Sequence, residues 1–343
     1  MNRRSRVLYL DLLRIAACFL VVMIHVSAQL LETMPSNRTV NFYNSIALTG
    51  MALFVMMSGA LALRDGREDG IGEILLHKTV RFYFLYYAWK VFYQVVDMIE
   101  IQEPFTLINI KNEVVLAAIM KRGVAYHLWF LPMIAVIYMF VPLIRKSVAD
   151  RKVCLYFLSV FFIVHVFWAT MSNYEFRFDY VFQGFFEYNP FELFGGYLGY
   201  FILGHFLFEW GSSIPKVGRI LIYILGGGSL ILSYFEGSTL KTPFSLTAFF
   251  MATALFLLGQ RGEERLRSRG ERAGSALFWG ASCTLGIYLL HPFALSYFPV
   301  QAVSEGLRYP ALSIPVMTLC IFLLCGVFSA LLLKVPVLRK LVQ

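Results

Sequence analysis

The sequence predicts an all-α, polytopic membrane protein of about ten transmembrane helices with both termini in the cytoplasm. Three observations carry this. Of 343 residues, 59% are hydrophobic and only 15% charged, with a mean hydropathy of +0.67; a soluble domain needs roughly 25% charged residues to face water. The apolar residues come in long runs of about 16–26, near the length of a bilayer-spanning helix, not in the short alternating strands of an outer-membrane barrel. The basic residues gather in every second connection. The same composition excludes a disordered chain, a coiled coil and a secreted disulfide scaffold.

The first span, 8–31, follows Arg3, Arg4 and Arg6 and contains Asp11, Arg14 and His25. The second covers 43–63, and a connection with Arg64, Arg67 and Lys78 leads to the third, 79–97, which holds Arg81 and Lys90. An outward loop, 98–124, contains the apolar run 114–120, too short to span and suited to lying on or dipping into the outer surface. The fourth and fifth spans, 125–144 and 153–171, flank Arg145, Lys146, Arg151 and Lys152. After the outward loop 172–192 comes the sixth, 193–210, and the seventh, 217–235, adjoins Lys216 and Arg219. The eighth, 242–259, ends at a basic block over 261–272, the ninth is 276–298, and the tenth, 309–333, runs into Lys334, Arg339 and Lys340.

With the N-terminus inside, only Arg38, Lys111, Lys121, Arg122, Arg177, Lys241 and Arg308 fall outward, and Arg14, Arg81 and Lys90 within spans; the remaining 20 of the 30 Lys and Arg face the cytoplasm. This is the positive-inside asymmetry. The net charge of +9 is therefore a topology signal and not a nucleic-acid footprint. Arg3, Arg4 and Arg6, an apolar stretch and Val26-Ser27-Ala28 together mimic a cleavable secretory signal. Asp11 and Arg14 interrupt that stretch, which is also too long, so it is read as a retained span. The chain shows no linker, low-complexity tract or convincing internal repeat, and residues 1–343 read as one membrane-embedded domain. The cysteines, Cys18, Cys154, Cys283, Cys320 and Cys325, lie in spans or at the cytoplasmic side, so no structural disulfide is expected.

About half the residues from Tyr174 to Phe194 are aromatic, interleaved with Glu175, Asp179, Glu187 and Glu192. Two readings stand side by side: an interfacial aromatic belt, and an acceptor site whose rings and carboxylates suit a sugar's apolar face and hydroxyls.

Chemistry must come from polar groups inside the bilayer, where an ionisable side chain is costly and a functional candidate by default. Arg14 and His25 are eleven residues apart, on a helix about 20° beyond three full turns and about 16 Å along the axis. They share one face, Arg14 in the inner leaflet and His25 in the outer half. That register suits a ligand threaded along the helix with an anionic end inside. Asp11, one turn before Arg14, is placed to pair with it. Lys78 and Arg81, a turn apart at the cytoplasmic start of the third span, are placed to hold phosphates beside Arg14. His291 falls about 22 Å into the ninth span, at a depth similar to His25. His127, His165 and His205 form no metal-ligand spacing. The chain has no nucleotide-binding loop, dinucleotide fingerprint or nucleophile elbow.

Asp11-Leu-Leu-Arg14-x10-His25, Ser58-Gly59, Lys78-x-x-Arg81, Tyr126-His127-Leu128-Trp129-Phe130-Leu131, Gly199-Tyr-Phe-Ile-Leu-Gly204 and Gly286-Ile-Tyr288-Leu-Leu-His291 occur in order over nearly the whole chain. In these the sequence resembles the membrane acyltransferase-3 family, and within it bacterial enzymes that O-acetylate surface polysaccharides, including those of the enterobacterial common antigen type. The resemblance implies a ten-helix catalytic domain of the bacterial cytoplasmic membrane. It implies acetyl-coenzyme A as cytoplasmic donor substrate, no permanently bound cofactor, and a glycan or lipid-linked sugar as acceptor on the outer side. By position it makes His25 the catalytic histidine and Arg14 a donor-site residue, with Asp11, Ser58, Trp129, Tyr288 and His291 in supporting places. Lys78 and Arg81 match the family's Arg-x-x-Arg with lysine in the first place, which keeps the charge but loses a bidentate fork. No counterpart of the appended soluble domain of some relatives is seen, so acceptor selectivity is expected in the membrane domain and its outer loops.

An alcohol is a poor nucleophile at neutral pH, and histidine suits the base it needs. His25 either deprotonates the acceptor directly or passes the acetyl group through an acetyl-histidine intermediate. Two other classes compete: a secondary transporter using His25, Arg14 and His291 as an ion pathway, and a non-catalytic lipid-binding scaffold. The lack of a repeat disfavours the first, and the Arg14–His25 register has no purpose in the second.

Overall fold

A computed structural model describes residues 6–64, 70–100, 102, 106–109, 111–112, 126–174, 192–307 and 309–342, with only the backbone for 192–195. The run 114–120 lies outside these residues, and so does the aromatic loop apart from Tyr174 and the backbone at its far end. The described chain is helical, with no strand. The α-helices of seven or more residues are α1 Leu8–Thr33, α2 Arg38–Ala47, α3 Thr49–Ala62, α4 Val80–Glu100, α5 Phe130–Val148, α6 Arg151–Phe161, α7 Glu192–Trp210, α8 Lys216–Glu236, α9 Leu246–Ser268, α10 Gly270–Tyr297, α11 Val300–Leu307, α12 Pro310–Lys334 and α13 Pro336–Val342. A π-helical turn, Ile74–Thr79, leads into α4, another, Phe162–Phe167, extends α6, and a 3-10 turn, Tyr126–Trp129, leads into α5.

Among the described residues, seven helical segments are long and apolar enough to cross a membrane: 8–33, 38–62, 126–148, 151–171, 216–236, 270–297 and 310–334. The chain is an all-α multi-pass membrane protein. The other three expected spans also fold as helices, α4, α7 and α9. Helix α4 is less apolar because it carries Arg81, Lys90, Asp97 and several tyrosines. The apolar part of α9 stops at Gly259, beyond which the helix continues into the basic block.

Local signals set several boundaries. Asn37 caps α2, its Oδ1 accepting from the backbone N–H groups of Thr39 and Val40 at 3.0 and 3.1 Å. Ser245 caps α9 through the N–H of Ala248 at 3.2 Å. Helix α1 has no side-chain cap of its own. Instead Glu263, on α9, accepts from the N–H groups of Leu8 and Tyr9 at 3.2 and 2.8 Å, placing a carboxylate at the positive end of the helix dipole. Arg267 ties this junction by bonding Glu263 at 2.7 Å and the carbonyl of Arg6 at 2.6 Å.

Helix α1 is central. It packs on α2, α3, α9, α10 and α12, and Ala17, Cys18, Val26 and Leu30 are fully buried. Helix α8 is peripheral, with Leu221, Ile224 and Ile231 more than half exposed. Lipid tails are as apolar as leucine, so helices in a membrane associate by close fit rather than by hydrophobic sorting. The tightest fit is between α3 and α7. A Cβ on Gly59 would fall 1.7 Å from the Phe201 carbonyl oxygen, and one on Gly204 would fall 1.9 Å from that of Met56. The two backbones therefore touch, each through the other's glycine.

Candidate active site

Helices α1, α3, α4, α5 and α10, with the π turn before α4 and the turn before α5, line a cavity of about 580 Å³. Arg14, His25, Ser58, Lys78, Arg81, Trp129 and Tyr288 all line it. The shared helical face of Arg14 and His25 thus becomes one wall of one cavity.

One end, which the charge distribution assigns to the cytoplasm, is cationic. Arg6 and Arg14 from α1, with His77, Lys78 and Arg81 from the π turn and α4, converge there. Asp11 stands behind them and does not line the cavity, and its principal partner differs from the expected one. Arg6 grips both of its carboxylate oxygens, Nη2 to Oδ1 at 3.0 Å and Nε to Oδ2 at 2.5 Å, whereas Arg14 Nη1 stays 3.9 Å away. The reason is geometric. Arg6 precedes the helix and can fold back over its first turn, while Arg14 leaves the helix toward the cavity. Arg6 also lies over the Phe278 ring, 3.9 Å from its centroid. The Lys78 ammonium is 5.9 Å from the Tyr138 ring.

The other end is built of imidazole and phenol. The His25 ring is 5.0 Å from His291 and 5.1 Å from Tyr126, and His127 is 5.5 Å from His291. Tyr288 donates to the His127 carbonyl, and Tyr93 to the Leu289 carbonyl at 2.8 Å, so α10 is bound to both the 126–129 turn and α4. His291 is fully buried behind His25. Its orientation follows from the next residue. Pro292 has no N–H, which leaves the carbonyl of Tyr288, one turn earlier, without its helical donor. His291 Nδ1 sits 2.7 Å from that oxygen. A carbonyl can only accept, so Nδ1 is the donor and carries a proton. Nε2 is buried with no hydrogen-bond partner among the described residues.

The remaining expected residues take lesser places. Ser58 lines the cavity with its hydroxyl bonded to its own helix, at the Phe54 carbonyl, 2.9 Å. Trp129 is 41% exposed at the rim, with its ring 5.3 Å from Tyr197. Sequence reasoning missed His127, Arg6 and His77 as site residues. His127 stands within the quoted Tyr-His-Leu-Trp run at the start of the fourth span, and that depth was the available signal. Arg6 read only as a topological charge.

No curated protein and no solved structure matches the chain. The acyltransferase domain family does, over residues 7–335, from the first turn of α1 to the end of α12. A match of that extent takes in every cavity-lining residue except Arg6: the chain belongs to the acyltransferase-3 family and is a membrane acyltransferase.

Proposed function

We propose that the protein transfers an acetyl group from cytoplasmic acetyl-coenzyme A to a hydroxyl of a cell-surface glycan or lipid-linked sugar, in the cytoplasmic membrane of a bacterium. The observation that supports this best is the single cavity with cations at one end and His25 at the other. A coenzyme A molecule has that polarity: phosphates at one end, thioester at the other, a flexible arm between.

In this reading Arg14, Lys78 and Arg81, helped by Arg6, hold the phosphates through charge-assisted hydrogen bonds. The pantetheine arm runs along α1 and brings the thioester carbonyl to His25. The acceptor hydroxyl enters from the outer side past Trp129. His25 takes the hydroxyl proton as the oxygen attacks the thioester carbonyl. The tetrahedral intermediate collapses with loss of the thiolate, and the imidazolium returns its proton to the sulfur. The ester and free coenzyme A are the products. The His291 ring, its centroid 5.0 Å from that of His25, packs beside it and limits how far the catalytic ring can turn.

The test is thiol release from acetyl-coenzyme A by the purified protein in liposomes, with candidate acceptors supplied. His25→Ala lowers the rate by about a hundred- to ten-thousandfold while leaving yield and elution volume unchanged. Undiminished release by this variant removes His25 from the chemistry, and solute flux without thiol release favours transport.

A further inference from the structure

Away from the His25 cavity, a second concavity of about 480 Å³ opens between α8, α9 and the Gly211–Ser213 turn. Its floor is fixed by Gln260, whose Nε2 donates to the carbonyls of Leu207 and Phe208 at 3.2 and 3.3 Å. Lys216 and Arg219, a turn apart on α8, and Arg261 on α9 surround the mouth, and Ile220, Tyr223 and Leu257 form an apolar wall. Arg219 makes one long hydrogen bond, 3.5 Å, to the Ser212 carbonyl. No lining residue is acidic, and none of the three cations forms a salt bridge among the described residues.

This end of the molecule is the one where Glu263 caps α1, the side that charge distribution assigns to the cytoplasm. Further along α8, Leu221 and Ile224 are 54% and 63% exposed and face lipid. An occupant must therefore be anionic where it meets the three cations and apolar over the following turns. A soluble anion would leave the apolar flank uncovered. A zwitterionic headgroup would bring a fourth cation to the mouth. Topological charges alone account for basic residues on this side, but not for their arrangement around a preformed hollow with an apolar wall. We infer that this groove is a specific site for an anionic phospholipid, with the headgroup phosphate among Lys216, Arg219 and Arg261 and an acyl chain along α8. Basic hollows between helices on the cytoplasmic side recognise such headgroups by the same physics.

The experiment is native mass spectrometry of the delipidated full-length protein titrated with phosphatidylglycerol or with phosphatidylcholine of the same chains. One phosphatidylglycerol is retained in preference to phosphatidylcholine. Each cation near the headgroup contributes roughly fivefold, so combined Lys216→Gln, Arg219→Gln and Arg261→Gln weaken binding on the order of a hundredfold. A control set on the same side, Lys146→Gln, Arg151→Gln and Lys152→Gln, leaves it unchanged. Should the triple variant fail to fold, Arg261→Gln alone, at an exposed position, shows the roughly fivefold loss. Equal retention of the two lipids, or wild-type binding by the groove variants, overturns the site. An equal loss in the control set reduces it to diffuse surface charge. Displacement of the lipid by millimolar inorganic phosphate would make it a soluble-anion site instead.

Discussion

At the scale of residues, the site depends on which atoms are free to act. Asp11 is occupied by Arg6 through two contacts, and this leaves the Arg14 guanidinium turned to the cavity. Arg14→Ala should therefore act on donor binding: the KM for acetyl-coenzyme A rises roughly ten- to a hundredfold, the range of a charge-assisted hydrogen bond, with kcat little changed. Steady-state kinetics of thiol release read both. An unchanged KM takes Arg14 out of the donor site. His291 is the complementary case, a residue set by its neighbour. Pro292→Ala restores an N–H that competes for the Tyr288 carbonyl and loosens the His291 ring. A roughly two- to tenfold fall in kcat follows, the worth of one hydrogen bond, with KM for the donor unaltered. If kcat is untouched, the proline has no part in holding the histidine pair.

At the scale of elements, the glycine motifs gain a meaning that neither has alone. Ser58-Gly59 and Gly199-x4-Gly204 are each weak as sequence patterns. In the fold Gly59 lies on the Phe201 backbone and Gly204 on the Met56 backbone, so they are the two halves of one helix crossing. Ser58, beside Gly59, lines the cavity, so the crossing that sets how far α3 stands from α7 lies next to it. Gly59→Ala and Gly204→Ala each force these backbones apart, at a cost of about 1–3 kcal/mol or more. Thermal unfolding in detergent should show a lowered Tm for both. The double variant should lose less than the sum, since one displacement relieves both clashes. Strict additivity would mean that the two contacts are separate. The junction of α1 and α9 is a second element-level device. Glu263 supplies from a distant part of the chain the cap that the sequence before Leu8 lacks, and so couples the cationic end of the cavity to the basic extension of α9.

At the scale of the whole molecule, the charge asymmetry assigns a side to each connection. Ser213 lies at the end of the α1 N-terminus, and Thr239 lies between α8 and α9 at the opposite end. In intact cells a membrane-impermeant maleimide labels Thr239→Cys, and reaches Ser213→Cys only after permeabilisation, with the wild-type chain as background. The reverse pattern would invert the topology and with it the donor side of the cavity. Under the proposed function the arrangement also implies a direction. Cations concentrate at one end of the cavity and the imidazoles at the other, so in the proposed reaction a charged donor would stop partway across the bilayer and present only its acyl end to the acceptor.

Composition and run length by themselves determined the all-α membrane class, because it depends on local solvation and on no partner, and the placement of basic residues gave the sidedness as an expectation that the labelling experiment tests. The Arg14–His25 register was also legible, since helical periodicity alone puts both on one face. Tertiary structure decided what that face meets. It brought Lys78, Arg81, Tyr288 and Trp129 to the same cavity, added His127 and Arg6, and gave Asp11 to Arg6. These pairings join segments up to hundreds of residues apart, and chain spacing carries no information about which helices lie side by side. Small residues and single hydrogen bonds settle that, because in a lipid solvent the hydrophobic effect does not choose between neighbours.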